Sequence, residues 1–188
     1  MDLILLEPGN RALFDGLSSA SERGDIIGDK WADLLPELGP CLELISIHQG
    51  MKQQVTTDVS NSARTSGRPV ITEFTLTKYV DPISVKLYDL CLRAEALGKG
   101  ANAPTRLHIL RTAGEQPALI LTVALRDAII SEIELQTHPD DMPTERFKLN
   151  FTEILWTYGA PRQDGRNGSV QTAGWSLARN RPIGQFTD

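Results

Sequence analysis

The chain has 188 residues, a formal net charge of −5 and two cysteines. A fold of that length buries roughly 70% of its unfolded surface, so one domain with a sizeable insertion stands without disulfide staples. The charge argues against nucleic-acid binding, which calls for a basic stripe, and two thiols do not make a disulfide framework.

MDLILLEPGN opens with a short first strand, Asp2 to Glu7. It lacks the positive start and longer apolar region of a secretory signal, and no run approaches the ~20 apolar residues of a membrane span. The expectation is a protein folded in the cytoplasm, without membrane insertion, that leaves only by a route reading no N-terminal signal. Residues 10–40 are rich in Gly, Ser, Asp and Pro. They read as a long loop carrying a short helix around Lys30 to Leu35, stopped by Pro36. CLELISIHQ then predicts a strand, with Leu42, Leu44 and Ser46 on one face and Cys41, Glu43, Ile45 and Ile47 on the other. Residues 50–69 are polar and aperiodic, a second long loop. Loops beyond ~12–15 residues are uncommon in compact domains unless functional or disordered.

From Val70 the pattern alternates again: Phe74, Leu76 and Val80 against Glu73, Thr75, Thr77 and Tyr79. Asp81-Pro82 then switches the period. Asp81 suits a helix cap and Pro82 the first helical position. Ile83, Leu87, Leu90, Cys91, Ala94 and Leu97 form one helical stripe that Gly98 ends. Such a one-sided helix lies on a surface, with Cys91 as a small core residue.

A hairpin about Gly114 follows. Between Leu119 and Leu135 seven of the nine odd positions are apolar. That predicts one long strand, or two collinear ones kinked near Arg126-Asp127, in unbroken register. HPDDMPT turns into ERFKLNFTEILWTYGAP, another long strand. Phe147, Leu149 and Phe151 mark one face of it, and Ile154, Trp156 and Tyr158 the opposite one. A strand whose apolar face changes sides is covered on both, in part by the helix and in part by another subunit. RQDGRNGS is a turn, and VQTAGWSLARN the last strand. The sum is a mainly β fold, an antiparallel β-barrel or two-sheet roll with one flanking helix.

No catalytic set emerges, and the chain reads as a non-enzyme needing no cofactor or metal. His48, His108 and His138 lack zinc spacing. The Gly98–Gly100 stretch lacks phosphate-loop spacing, and the His138–Asp141 turn is a polar turn before it is a cation site. Arg23-Gly24-Asp25 is a chance tripeptide. The sequons at Asn150 and Asn167 fail without a signal peptide. Trp156 and Tyr158 read as packing under the helix or at a subunit contact rather than as a stacking platform.

Five stretches from about Val70 to Asn180 carry a resemblance: FTLTKYVDPISVKLYDLC, LILTVALRDAIISEIEL, MPTERFKLNF, EILWTY and GWSLARN. In that order and spacing the chain resembles the haemolysin-coregulated protein (Hcp) family, the inner-tube protein of bacterial type VI secretion. The first strand and CLELISIHQGM fit the family's first two strands. The resemblance implies a single Hcp-like domain over residues 1–188, with a loop insertion at about 10–40 and an extended loop at about 50–69. It implies homohexameric rings stacked into a tube, propelled by sheath contraction and released from the cell without a signal peptide. Its implied partners are the VgrG spike, contractile sheath and baseplate proteins, and effectors carried in the lumen. Met51, Lys52, Gln53, Val55, Arg64 and Arg68, with Trp156 and Tyr158, become candidate subunit and ring contacts. Ser46 and His48 become candidate lumen residues. The competing reading is a monomeric ligand-binding β-barrel with an apolar interior pocket.

Overall fold

The computed structural model describes residues 2–16, 38–57, 64–113, 116–159 and 170–187. The predicted helix at Lys30–Leu35, the Gly114 turn and the turn at 162–169 lie outside them. Strands β1 (Asp2–Glu7), β2 (Leu42–Leu44) and β3 (Ser46–His48) come first, with a 3-10 turn at Arg11–Phe14 after β1. Four short strands follow: β4 (Met51–Lys52), β5 (Val55–Thr57), β6 (Arg64–Ser66) and β7 (Val70–Ile71). Then come β8 (Phe74–Tyr79), helix α1 (Ser84–Arg93), β9 (Thr105–Ala113), β10 (Gln116–Arg126) and β11 (Ile129–Gln136). The chain continues through β12 (Thr144–Asn150), β13 (Glu153–Tyr158), β14 (Gln171–Ser176) and β15 (Arg181–Pro182).

These form a seven-stranded sheet, β15-β14-β13-β10-β9-β1-β2, and a four-stranded sheet, β11-β12-β8-β3, with every pairing antiparallel. The core lies between them. Leu6, Leu42, Leu107, Leu125 and Ile154 from one sheet meet Phe74, Leu76, Phe147 and Leu149 from the other, each buried. Over the described residues the fold is therefore mainly β with one α-helix, as the alternation predicts.

Three predicted long strands are each broken, for one reason. The 41–49 run splits at Ile45: β2 pairs with β1 in the larger sheet and β3 with β8 in the smaller. The 119–135 run is not collinear. Asp127, in the left-handed region at φ 51°, turns the chain from β10 in one sheet to β11 in the other. Its register also slips at bulges between Leu119 and Leu121 and between Ile130 and Glu132. The 145–158 run breaks at Phe151-Thr152 between β12 and β13. Its apolar face does not switch to a second cover. The strand switches sheets, so Phe147, Leu149 and Ile154 all point into the one core. The change of phase between Phe151 and Ile154 marks the crossing, but a period-2 pattern does not say whether the strand changes sheets or gains a second cover. The two latter corners touch: the Thr152 amide donates to the Arg126 carbonyl at 3.1 Å, and its hydroxyl lies 3.3 Å from Asp127 Oδ2.

Asp81 caps as expected, with Oδ1 accepting from the amides of Ile83 (2.8 Å) and Ser84 (3.2 Å). Ile83 and Leu87 are fully buried, and Leu90 and Cys91 pack against the core. The helix ends earlier than predicted, at Ala94 in a left-handed conformation (φ 52°). Gly98 has another use. A Cβ there would sit 2.1 Å from the Ala103 carbonyl oxygen and 2.7 Å from Gly9 Cα, so it permits a backbone crossing. Cys41 and Cys91 are not joined in a disulfide, and the Cys41 thiol donates to the Gly39 carbonyl at 3.2 Å.

The larger sheet also has an outer cover. Leu3 and Leu5, alternating with Ile4 and Leu6, form a second apolar cluster with Cys41 and Leu110, against which Leu38 and Leu119 pack. At β1, β2 and β9 the outer wall is thus covered within one chain, not by a neighbour. Among the described residues no helix is long and apolar enough to cross a membrane.

Candidate functional site

Two surfaces gather the predicted residues. The first is the outward face of the four-stranded sheet. Its positions align across the strands as Ser46, Thr77, Arg146, Glu134 and as His48, Thr75, Lys148, Glu132. Arg146 Nε donates to Glu134 at 3.1 Å and Lys148 Nζ to Glu132 at 2.7 Å. The Glu132 carboxylate holds the Lys148 ammonium above its ordinary range. The Asn150 amide donates to Glu73 at 2.8 Å. Exposed pairs like these add little stability. They make the face hydrophilic and nearly charge-balanced. Ser46 and His48 stand exposed together on β3, the edge strand; Ser46 does not share a face with the buried Leu42 and Leu44, because the chain changes sheets at Ile45.

The second surface surrounds residues 50–71. The predicted loop is an antiparallel arm: β4 pairs with β7 at its base, and β5 with β6 further out. Its polar composition hid this, because an arm standing away from the core has no apolar face to display. Thr72 and Gly50 close the base through backbone and hydroxyl hydrogen bonds of 2.9 Å. The Arg68 guanidinium donates to the Leu177 carbonyl at 2.7 Å and ties the arm to the body. Beside the base runs a groove of about 300 Å³, lined by Met51, Pro69, Ile71, Trp156, Ala173 and Trp175 among others. Met51 is 58% exposed, and Val55, Val70, Tyr158 and Val170 are also exposed apolar side chains.

Of the predicted contact residues, Met51, Lys52, Gln53 and Trp156 meet at this groove. Val55 and Arg64 lie outward along the arm, on paired strands. Arg68 is committed to its own chain, and Tyr158 sits outside the groove lining at the end of β13. Trp156 does not pack under α1, which lies along β11. Trp175 was missed. Its place follows from strand pairing, which the sequence does not display: Trp156 and Ala173 are cross-strand partners and Trp175 shares their face of β14.

Sequence reasoning also missed three buried polar networks. Lys78, 1% exposed, donates to Glu145 Oε1 (2.8 Å), to the Ser84 hydroxyl (3.2 Å) and to the Tyr79 carbonyl (2.7 Å), and lies 2.8 Å from Asp81 Oδ2. The Ser84 hydroxyl also donates to Glu145 Oε1 at 2.8 Å. Burial, with Glu145 nearby, pushes the Tyr88 hydroxyl up to about 12. On the outer face, Glu7 Oε2 lies 3.1 Å from His108 Nε2, whose other ring nitrogen is 3.2 Å from the Thr122 hydroxyl. The His108 hydrogen bond outweighs burial and, with Arg106, holds the Glu7 carboxyl below its ordinary range. Glu153 is opposed by burial, but hydrogen bonds from the Thr187 hydroxyl (2.6 Å) and amide (2.9 Å), from Ser176 and from Arg126 hold it at about 2. Among the described residues no group of His, Cys, Asp and Glu is arranged to hold a metal.

Comparison with known proteins gives one family. A family model described as "Type VI secretion system effector, Hcp" matches residues 41–158. No curated protein sequence matches. Among solved structures, one titled as that of a type six secretion system protein shares 19% identity at a TM-score of 0.73, covering 97% of this chain and 100% of its own. Hcp1 from Salmonella typhimurium shares 20% at 0.64, covering 97% and 99%. Hcp3 from Pseudomonas aeruginosa shares 17% at 0.53, covering 92% and 97%. At these identities the likeness is one of fold.

Proposed function

The chain belongs to the Hcp family of type VI secretion proteins, and from that we propose that it is a structural subunit of the secretion tube. In this reading copies close into hexameric rings, rings stack, and sheath contraction drives the stack out of the cell, with effectors carried in the lumen. The protein waits in the cytoplasm before firing. The VgrG spike, sheath and baseplate are its partners, and assembly rather than turnover is its work.

The observation that carries the reading is the apolar groove at the arm base, where Met51 stands 58% exposed beside Trp156 and Trp175. Exposed apolar surface concentrated at one place marks a contact with another molecule. The polar face bearing Ser46 and His48 suits a lining that faces water. Repeated copies of one head-to-tail contact close into rings. The monomeric-barrel alternative gains no support from the space between the sheets, which Leu76, Leu107, Leu125 and Phe147 fill.

Light scattering after size exclusion tests the proposal. A particle near six times the 20.7 kDa chain mass is expected. A clean monomer at micromolar concentration would refute it.

A further inference from the structure

We propose that the buried Lys78–Glu145 pair is a registration device, which makes the seating of helix α1 conditional on the correct alignment of β8 with β12. The need for it follows from the strands. β8 buries Phe74, Leu76 and Lys78 on one face; β12 buries Glu145, Phe147 and Leu149. A slip by one residue turns every apolar side chain outward and is excluded by burial alone. A slip by two residues is not. It keeps the apolar faces inward, because the pattern has period 2.

In the observed alignment Lys78 stands directly opposite Glu145, with Leu76 opposite Phe147 and Phe74 opposite Leu149. Shifted by two in one direction, Lys78 would face Phe147 and Glu145 would face Val80; in the other, Glu145 would face Leu76 and Lys78 would face Pro143. Either way Glu145 leaves its place opposite Lys78, which keeps Asp81, Ser84 and the Tyr79 carbonyl from its own segment. A buried carboxylate deprived of its counter-charge is strongly unfavourable.

The helix enters through the same atoms. Ser84, in the first turn of α1, donates its hydroxyl to Glu145 and accepts from Lys78. Asp81 caps that turn with one carboxylate oxygen and meets Lys78 with the other. A misaligned β12 removes Glu145 from this set, and Ser84 loses its acceptor on the sheet while Lys78 and Asp81 stay in place. The set reaches one turn further along α1, where the Tyr88 hydroxyl also hydrogen-bonds Glu145. A buried ion pair adds little net stability over a well-packed apolar pair, and alignment is the role left to it.

The test is hydrogen exchange read by mass spectrometry on the full chain, with K78M, E145L and the double variant K78M/E145L. K78M leaves Glu145 buried without a counter-charge, and E145L leaves Lys78 with Asp81 as its one carboxylate. Exchange in β8, β12 and α1 should accelerate by on the order of a hundredfold. The double variant should melt within about 5 °C of the parent or above it. Yet peptides covering α1 should lose protection, and β8 and β12 peptides should show two exchange populations, one for each alignment. A double variant with parental protection in α1 and one population overturns the proposal. So does a double variant that melts far below the parent, because the pair would then supply stability rather than alignment. Single variants that exchange like the parent overturn it as well.

Discussion

Glu153 is 3% exposed, and its carboxyl is held at about 2 against an ordinary 4.5. A carboxylate depressed on folding contributes stability that is present above the unfolded value and lost as pH falls through the folded one. The melting temperature should therefore drop between about pH 4.5 and pH 2. Replacement by Gln should lower it at neutral pH and flatten that slope, and a thermal scan across the window checks both. A parental slope in Glu153→Gln would assign the acid transition elsewhere, with Glu7 the next candidate, since His108 depresses it in the same direction. The same network fixes Thr187, so the variant should also free the segment after β15 to proteolysis. Two backbone positions make opposite predictions. Ala94 holds a left-handed conformation that suits glycine, so Ala94→Gly should stabilise by about 0.5–1 kcal/mol in denaturant titrations. Gly98→Ala would drive a methyl group into the Ala103 carbonyl and should destabilise by about 1–3 kcal/mol or more.

Among the elements, Trp156 carries the sharpest prediction. It packs half-buried against the core and the arm base, so Trp156→Ala should cost about 3 kcal/mol, the low end for an aromatic truncation. Chemical denaturation reads that loss. An unchanged midpoint would remove Trp156 from the packing. The elements also mark where sequence reading succeeds. β1, β8 and the start of α1 were legible because each shows an unmixed period and is bounded by a strong local signal, such as Asp81-Pro82; the end of α1 was not, since Ala94 and not Gly98 closes it. The sheet crossings at Ile45, Asp127 and Thr152 were not, because a strand that changes sheets keeps pointing its apolar residues at the same core. The phase of alternation changes near Thr152, but phase alone does not separate a change of sheet from a second cover on one continuous strand. Ser46 and His48 were legible as a pair by alternation. The groove was only half legible, since its second tryptophan arrives from β14 through cross-strand pairing. Lys78 and Glu145 were hidden by their charge, although both fall on the buried phase of their strands.

For the molecule as a whole, covering and exposure are unevenly distributed. β1, β2 and β9 carry an outer apolar cluster closed within the chain, whereas the arm base leaves Met51 and Val70 open. On the proposed tube-subunit reading, Met51→Asp should therefore reduce the particle mass in light scattering while leaving the melting temperature of the single chain nearly unchanged. A full-mass ring in that variant would move the subunit contact away from the arm base. The outward face of the smaller sheet, by contrast, should tolerate His48→Ala without loss of ring mass, because its edge position leaves the core untouched. The neighbouring corners at Asp127 and Thr152 bear on how such a body withstands force. Two separate crossings between the walls are hydrogen-bonded to each other, so they act as a rivet. Shear applied to one wall passes into the other at that point, and the layers yield together or not at all.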